Sequence, residues 1–138
     1  MTSQRACRSS KWHDFCNRAG AMLLIVGTGP WVPSLEKALV ERGCTVWSVP
    51  TLEEAKGLLL QRRPRVAIVS ETVSGSDGVT ALYVLRRLDP TLSCIFVAES
   101  EDPALERKVR RLGVLLFVHG KSADQILARF PFPKIVHS

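Results

Sequence analysis

The sequence predicts a doubly wound α/β fold, a five-stranded parallel sheet covered by helices on both faces. Three observations lead there. Over residues 21–130, five short apolar runs alternate with five segments of helical periodicity. The runs are apolar at successive rather than alternate positions, as strands buried on both faces require. Residues that start or stop helices stand at the junctions.

Taken in order, "AMLLIV" ends at Gly27-Thr28-Gly29-Pro30, and "VPSLEKALVERG" follows with Val32, Leu35 and Leu39 at helical spacing. Pro33 is tolerated in the first turn and Gly43 ends the helix. "CTVWSV" precedes "TLEEAKGLLLQRR", where Thr51 and Glu54 have capping-box spacing. "RVAIVS" precedes "DGVTALYVLRRL", "SCIFVA" precedes "PALERKVRRLG", and "VLLFV" precedes "SADQILARF". With right-handed crossovers, five such units give a flavodoxin-like (βα)5 sheet in the order 2-1-3-4-5. The ends of strands one, three and four then converge, so a site would be built from Gly27 to Pro30, Ser70 to Ser76 and Glu99 to Asp102. Residues 1–20 read as an N-terminal extension, 21–130 as the domain, and 131–138 as a tail stiffened by Pro131 and Pro133.

A chain of 138 residues, 46% hydrophobic and 23% charged, suits one domain with its own core. No window approaches the roughly 18 apolar residues of a membrane span. The N-terminal segment carries charges where a signal peptide needs an apolar centre, so a cytoplasmic protein without membrane contact is expected. Arg5, Arg8, Lys11 and Arg18 against Asp14, with Lys134, place +4 of the net +6 at the two ends, leaving +2 in the middle. That distribution argues against a nucleic-acid-reading surface. Cys44 and Cys94 fall in apolar runs and read as core residues, while Cys7, His13 and Cys16 are too few and too irregular for a metal site.

The segments "LLIVGTGPWVPSLEKALVERG", "VAIVSETVSGSDGVTALYVLRRL" and "RRLGVLLFVHGKSADQIL" together resemble the receiver domain of bacterial two-component response regulators, over roughly residues 21–130. The resemblance places the family's acidic, magnesium-binding pair on Gly27 and Thr28, and its phospho-accepting aspartate on Ser70. The Thr or Ser that reads the phosphoryl group falls on Glu99, and the aromatic switch residue on Phe117. The lysine after the fifth strand falls on Gly120, with Lys121 one place late. Asp77-Gly78 and Gly113 keep the family's scaffold. The resemblance therefore implies a degenerate receiver, or pseudo-receiver, built like a chemotaxis receiver, in which the phosphorelay chemistry is gone and no catalytic residue, metal or cofactor is expected.

The residues agree without the family name. Acyl phosphates form on carboxylates, and a serine beside a glycine and a threonine offers neither a metal site nor an activated nucleophile. His13 and His137 are in the extensions, so His119 is the one histidine able to approach Ser70, and "VSETV" is not a G-x-S-x-G elbow. A core or rim serine is the better reading. "GTGPWVP" begins like a phosphate-binding glycine loop, but Val32 stands at the third glycine and no acidic residue closes the second strand at Ser48 to Pro50. A tight turn is preferred, with an anion on its backbone amides left open. Glu99 is expected to reach solvent or to pair with Lys121 or the Ser70 hydroxyl.

What remains is binding. In "ALERKVRRLG", Leu105, Val109 and Leu112 make an inward stripe, while Arg107, Lys108, Arg110 and Arg111 face out. A plain solvated face explains them; the resemblance instead implies a partner or dimer surface on the fourth helix, fifth strand and fifth helix. Arg62, Arg63 and Arg65 cluster at the opposite end of the sheet. The expected function is a non-catalytic signalling module that binds a protein partner, or a second copy, independently of aspartyl phosphorylation. The alternatives are a small-molecule or nucleotide sensor using the degenerate pocket, and a nucleic-acid-associated protein using the basic N-terminal extension.

Overall fold

The structure, a computed structural model, describes residues 22–129. The N-terminal extension and C-terminal tail, with Cys7, His13, Cys16, Lys134 and His137, lie outside the described residues. The chain runs β1 (Met22–Val26), α1 (Val32–Glu41), β2 (Thr45–Val49), α2 (Leu52–Arg62), β3 (Val66–Ser70), β4 (Thr72–Val73), β5 (Ser76–Asp77), α3 (Gly78–Leu88), β6 (Ser93–Ala98), α4 (Pro103–Arg111), β7 (Leu116–His119) and α5 (Ala123–Arg129). Five strands pair in parallel in the order β2-β1-β3-β6-β7. Setting aside the two-residue strands β4 and β5, this is the expected 2-1-3-4-5 order.

The pleat divides the strand residues between two cores. Leu24, Val26, Ala67, Val69, Cys94 and Phe96 face Ala55 and Leu59 of α2, Ala81, Leu82 and Leu85 of α3, and Val109 of α4. Leu23, Ile25, Val66, Ile68, Ile95 and Val97 face Val32, Leu35 and Leu39 of α1 and Ile126 of α5. β3 lies at the centre, and all five of its residues are buried. Its unbroken apolar run is thus explained, because each face meets a helical layer.

Capping follows local chemistry. Thr51 accepts the Glu54 N–H at 3.2 Å and donates its hydroxyl to the Glu54 carboxylate at 3.1 Å. Asp77 accepts the Thr80 N–H at 2.8 Å, fixing the start of α3. Asp102 accepts the Ala104 N–H at 3.0 Å and starts α4.

Three features depart from the sequence reading. β2 is not buried on both faces: Thr45 and Trp47 are exposed, because β2 is an edge strand. Arg62 covers Trp47 with its guanidinium 5.3 Å from the ring. β7 begins at Leu116 rather than Val114, since Gly113, at φ 85°, turns the chain and leaves Leu115 exposed. Between β3 and α3 the chain forms a small antiparallel hairpin, β4 against β5, turning at Gly75 with φ 77°.

Gly78 marks the tightest packing. A Cβ there would lie 2.1 Å from the Ser70 carbonyl oxygen and 2.9 Å from the Glu71 Cα, both backbone atoms that cannot swing away. Gly57 in α2 has nothing within 4 Å of the same position. Gly78→Ala is therefore expected to destabilise by about 3 kcal/mol through overpacking. Gly57→Ala should stabilise by about 0.5–1 kcal/mol through helix propensity. Urea unfolding of the two variants beside the parent checks both signs.

Candidate functional site

The C-terminal ends of β1, β3, β6 and β7 bring together the turn after β1, Ser70 to Thr72, Glu99 to Asp102, and His119 to Lys121. Gly27 adopts φ 124°, and a Cβ on it would lie 2.6 Å from both the Ser70 Cβ and the Thr72 carbonyl oxygen. The missing side chain lets this turn close onto β3. Thr28 then donates its N–H to the Thr72 carbonyl at 2.9 Å.

Ser70 is 0% exposed, the only polar side chain in the buried class among the described residues. Its hydroxyl donates to the Thr28 carbonyl at 2.9 Å and accepts the Thr72 N–H at 3.1 Å. Both partners are backbone groups. His119 is not one of them, so no Ser-His pair forms. Among the described residues, no group of three His, Cys, Asp or Glu side chains is arranged to hold a metal.

Glu99 is half-buried, so it keeps some contact with solvent, and it also has a partner that the sequence reading did not name. Its carboxylate pairs with neither Lys121 nor Ser70 but accepts the Trp31 indole N–H at 2.8 Å. The Ser70 hydroxyl is already committed, and Lys121 is exposed, its backbone N–H donating to Gln125 at 2.7 Å. Trp31 is buried at the start of α1 and holds the carboxylate over the β1–α1 turn, where a Cβ on Gly29 would come within 2.9 Å of it. A carboxylate in that place opposes an anion on the turn's amides.

Glu71 carries a role that sequence reasoning missed. Its carboxylate accepts the N–H of Glu99 at 2.7 Å, the N–H of Ser100 at 3.0 Å and the Ser100 hydroxyl at 2.7 Å. Burial pushes its pKa up, but the Ser100 and Glu99 hydrogen bonds and the nearby His119 charge outweigh it, so the carboxyl lies below its ordinary value. The only cue in the sequence is its place directly after the strand end.

The remaining expected positions scatter around this centre. Phe117 is buried and stacks on Phe96 with ring centroids 5.8 Å apart. Gly120 donates its N–H to the Ala98 carbonyl at 3.1 Å. On α4, Arg110 is exposed as expected, with its guanidinium 2.8 Å from the Glu106 carboxylate and 5.7 Å from the centre of the Phe117 ring. Arg107, Lys108 and Arg111 are exposed and make no ion pair among the described residues. The half-buried Leu105 and Leu112 and the buried Val109 form the inward stripe as expected.

No protein-family model matches the sequence, and neither does any curated protein. Solved structures do match. The chain is similar to a CheY-like response regulator receiver domain from Methanospirillum hungatei, with a TM-score of 0.70 at 16% identity, covering 78% of this chain and 88% of that one. A response regulator receiver protein from Pseudomonas putida gives 0.68 at 24% identity, covering 80% and 95%. A Burkholderia pseudomallei response regulator, solved with a phosphorylated aspartic acid, a calcium ion and citrate, gives 0.70 at 16%, covering 83% and 67%. The chain has the receiver-domain fold.

The Glu71 clamp carries a pH signature. Because its carboxyl is held below the ordinary value near 4.3, its stabilisation is complete above that value and is lost as pH falls through the lower folded value. Glu71→Gln should lose about 1 kcal/mol at neutral pH, less than the roughly 1.5–3 kcal/mol of hydrogen bonds to charged groups because this carboxylate is partly solvated. The gap between the two proteins should narrow below roughly pH 4, as unfolding curves recorded across pH would reveal.

Proposed function

We propose that residues 21–130 act as a degenerate receiver, a non-catalytic signalling module whose partner binding does not depend on aspartyl phosphorylation. The observation that carries this reading is the state of Ser70. It is buried, its hydroxyl proton and acceptor are both committed to backbone, and the neighbouring Gly27 and Thr28 bring no carboxylate. An acyl phosphate has no acceptor there, and magnesium has no oxygen cage. The end of β6, which a phosphoryl group would engage in a working receiver, is held instead by the chain's own Glu71. The similar Burkholderia pseudomallei protein has a phosphorylated aspartic acid; here the corresponding place is read as Ser70.

Binding is assigned to the face formed by α4, β7 and α5, with an acidic protein or a second copy as partner. Arg107, Lys108 and Arg111 point to solvent, away from the Val109 stripe, and can steer such a partner. Arg110 contributes through its pairing with Glu106, which fixes the helix surface.

Two tests follow. After incubation with acetyl phosphate and magnesium, mass spectrometry should find no stoichiometric, hydroxylamine-labile adduct; one on the β3–α3 segment would overturn the reading. Arg107→Glu with Arg111→Glu should abolish association, measured by pull-down from native extract and by sedimentation, while leaving the fold intact. Arg62→Glu with Arg63→Glu, an equal charge change at the far end of the sheet, should retain it. Association should also weaken as added salt shortens the screening length from about 10 to 3 Å.

A further inference from the structure

We infer that the amino edge of the sheet, at the end opposite the site described above, docks on an anionic lipid surface. All five strands of the parallel sheet start at this edge, and each helix returns to it with its last turn. Residues far apart in sequence are thereby gathered on one end of the molecule.

Charge is divided between the two ends. Arg62 ends α2, Arg87 lies in the last turn of α3, Lys108 and Arg111 in that of α4, and Arg129 closes α5. Arg42, Arg63 and Arg65 are exposed in the connections that lead into β2 and β3. Against them, the acidic residues of these last turns and connections are Glu41 and Asp89. The carboxyl edge is the reverse: Glu71, Asp77, Glu99, Glu101 and Asp102 gather there against Lys121. A small net charge conceals this polarity, which turns the amino edge toward an extended anionic surface. The chain outside the described residues joins at the same edge, before β1 and after α5, and adds Arg5, Arg8, Lys11, Arg18 and Lys134 against Asp14.

Basic last turns also suit the helix dipole, so charge alone is accounted for by helix stability. The aliphatic side chains are not. Of the six large hydrophobics exposed among the described residues, Val40, Leu60, Leu88 and Leu115 lie at this edge, in the last turns of α1, α2 and α3 and just before β7. Leu60 leaves 65% and Leu115 60% of its surface in water. The other two, Trp47 and Tyr83, stand further from the edge, and Arg62 and Arg87 reach their rings at 5.3 and 5.7 Å. Exposed aliphatics beside arginines fit the boundary of headgroups and acyl chains, where the former leave water and the latter meet phosphates. Aromatic rings favour the headgroup level just outside it. A nucleic acid offers phosphates but no continuous apolar layer for four aliphatic side chains. No described helix is long and apolar enough to cross a membrane, and docking at the surface does not call for one.

Vesicle binding and the protein association proposed for the face of α4, β7 and α5 are separable, since only the former should fall in Arg62→Glu with Arg63→Glu. Flotation of the full chain with equimolar phosphatidylglycerol and phosphatidylcholine vesicles should recover bound protein, and phosphatidylcholine alone should recover none. Equal recovery from both, or none from either, would overturn the inference. Arg62→Glu with Arg63→Glu should weaken binding to the anionic vesicles about tenfold or more. Lys37→Glu with Lys121→Glu, the same charge change away from this edge, should leave it within about twofold; equal losses in the two pairs would reduce the effect to net charge and overturn it. Leu60→Gln with Leu115→Gln keeps the charge and should still weaken binding severalfold. Both leucines are exposed, so thermal unfolding of that variant should match the parent. Binding unchanged in the leucine pair, or a DNA duplex held more tightly than the vesicles, would mark a general polyanion surface and overturn the lipid assignment.

Discussion

The carboxyl edge of the sheet depends on how closely the turn after β1 approaches the end of β3. Gly27 leaves out the side chain that would strike Ser70 and Thr72, and the Ser70 hydroxyl then bridges the two segments through backbone groups of each. Removing a polar side chain from water costs stability unless its hydrogen-bonding capacity is met. Here it is met on both sides, so Ser70 acts as a rivet between two loops. Once those loops are fixed, Trp31 has a defined seat at the head of α1, and Glu71 a defined reach toward β6.

Two carboxylates exploit that frame in complementary ways. Glu71 leaves β3 and takes donors from the end of β6; Glu99 leaves β6 and takes a donor from the head of α1. Each loop is held by a side chain from its neighbour rather than by its own residues. An anion of the chain's own occupies the donors at the end of β6. Charge elsewhere on this end is distributed by helix: acidic residues at the start of α4, basic residues along its second half.

The architecture was legible because its signals are local. Continuous apolar runs gave the parallel sheet, Thr51 and Asp77 marked helix starts, and Val32, Leu35 and Leu39 carried the buried stripe of α1. The exposure of β2 was not legible, since "CTVWSV" reads like its neighbours until the strand order puts it at an edge. The hairpin escaped because its strands are two residues long, although Gly75 was a turn signal. At the site, Ser70 was locatable from the end of an apolar run, but partners of charged residues were not. Glu99 meets Trp31 across 68 positions of sequence, and Glu71 meets Ser100 across 29. No periodicity encodes such pairs; packing decides them. Lys121 and Arg110 make the same point, since both are exposed and only Arg110 finds a carboxylate and an aromatic ring.

Cys94 draws out a consequence of the central sheet. It sits on β6 between β3 and β7, with no exposed surface, and burial pushes its thiol pKa up to about 12 against the opposing pull of Arg86. Since the thiolate is the reactive form, this sulfur is doubly shielded, by access and by protonation. An alkylating reagent can reach it only when β6 parts from a neighbour or from the helices above it. The rate at which Cys94 is modified is thus a clock for the opening of the sheet, read at one buried atom near the start of β6.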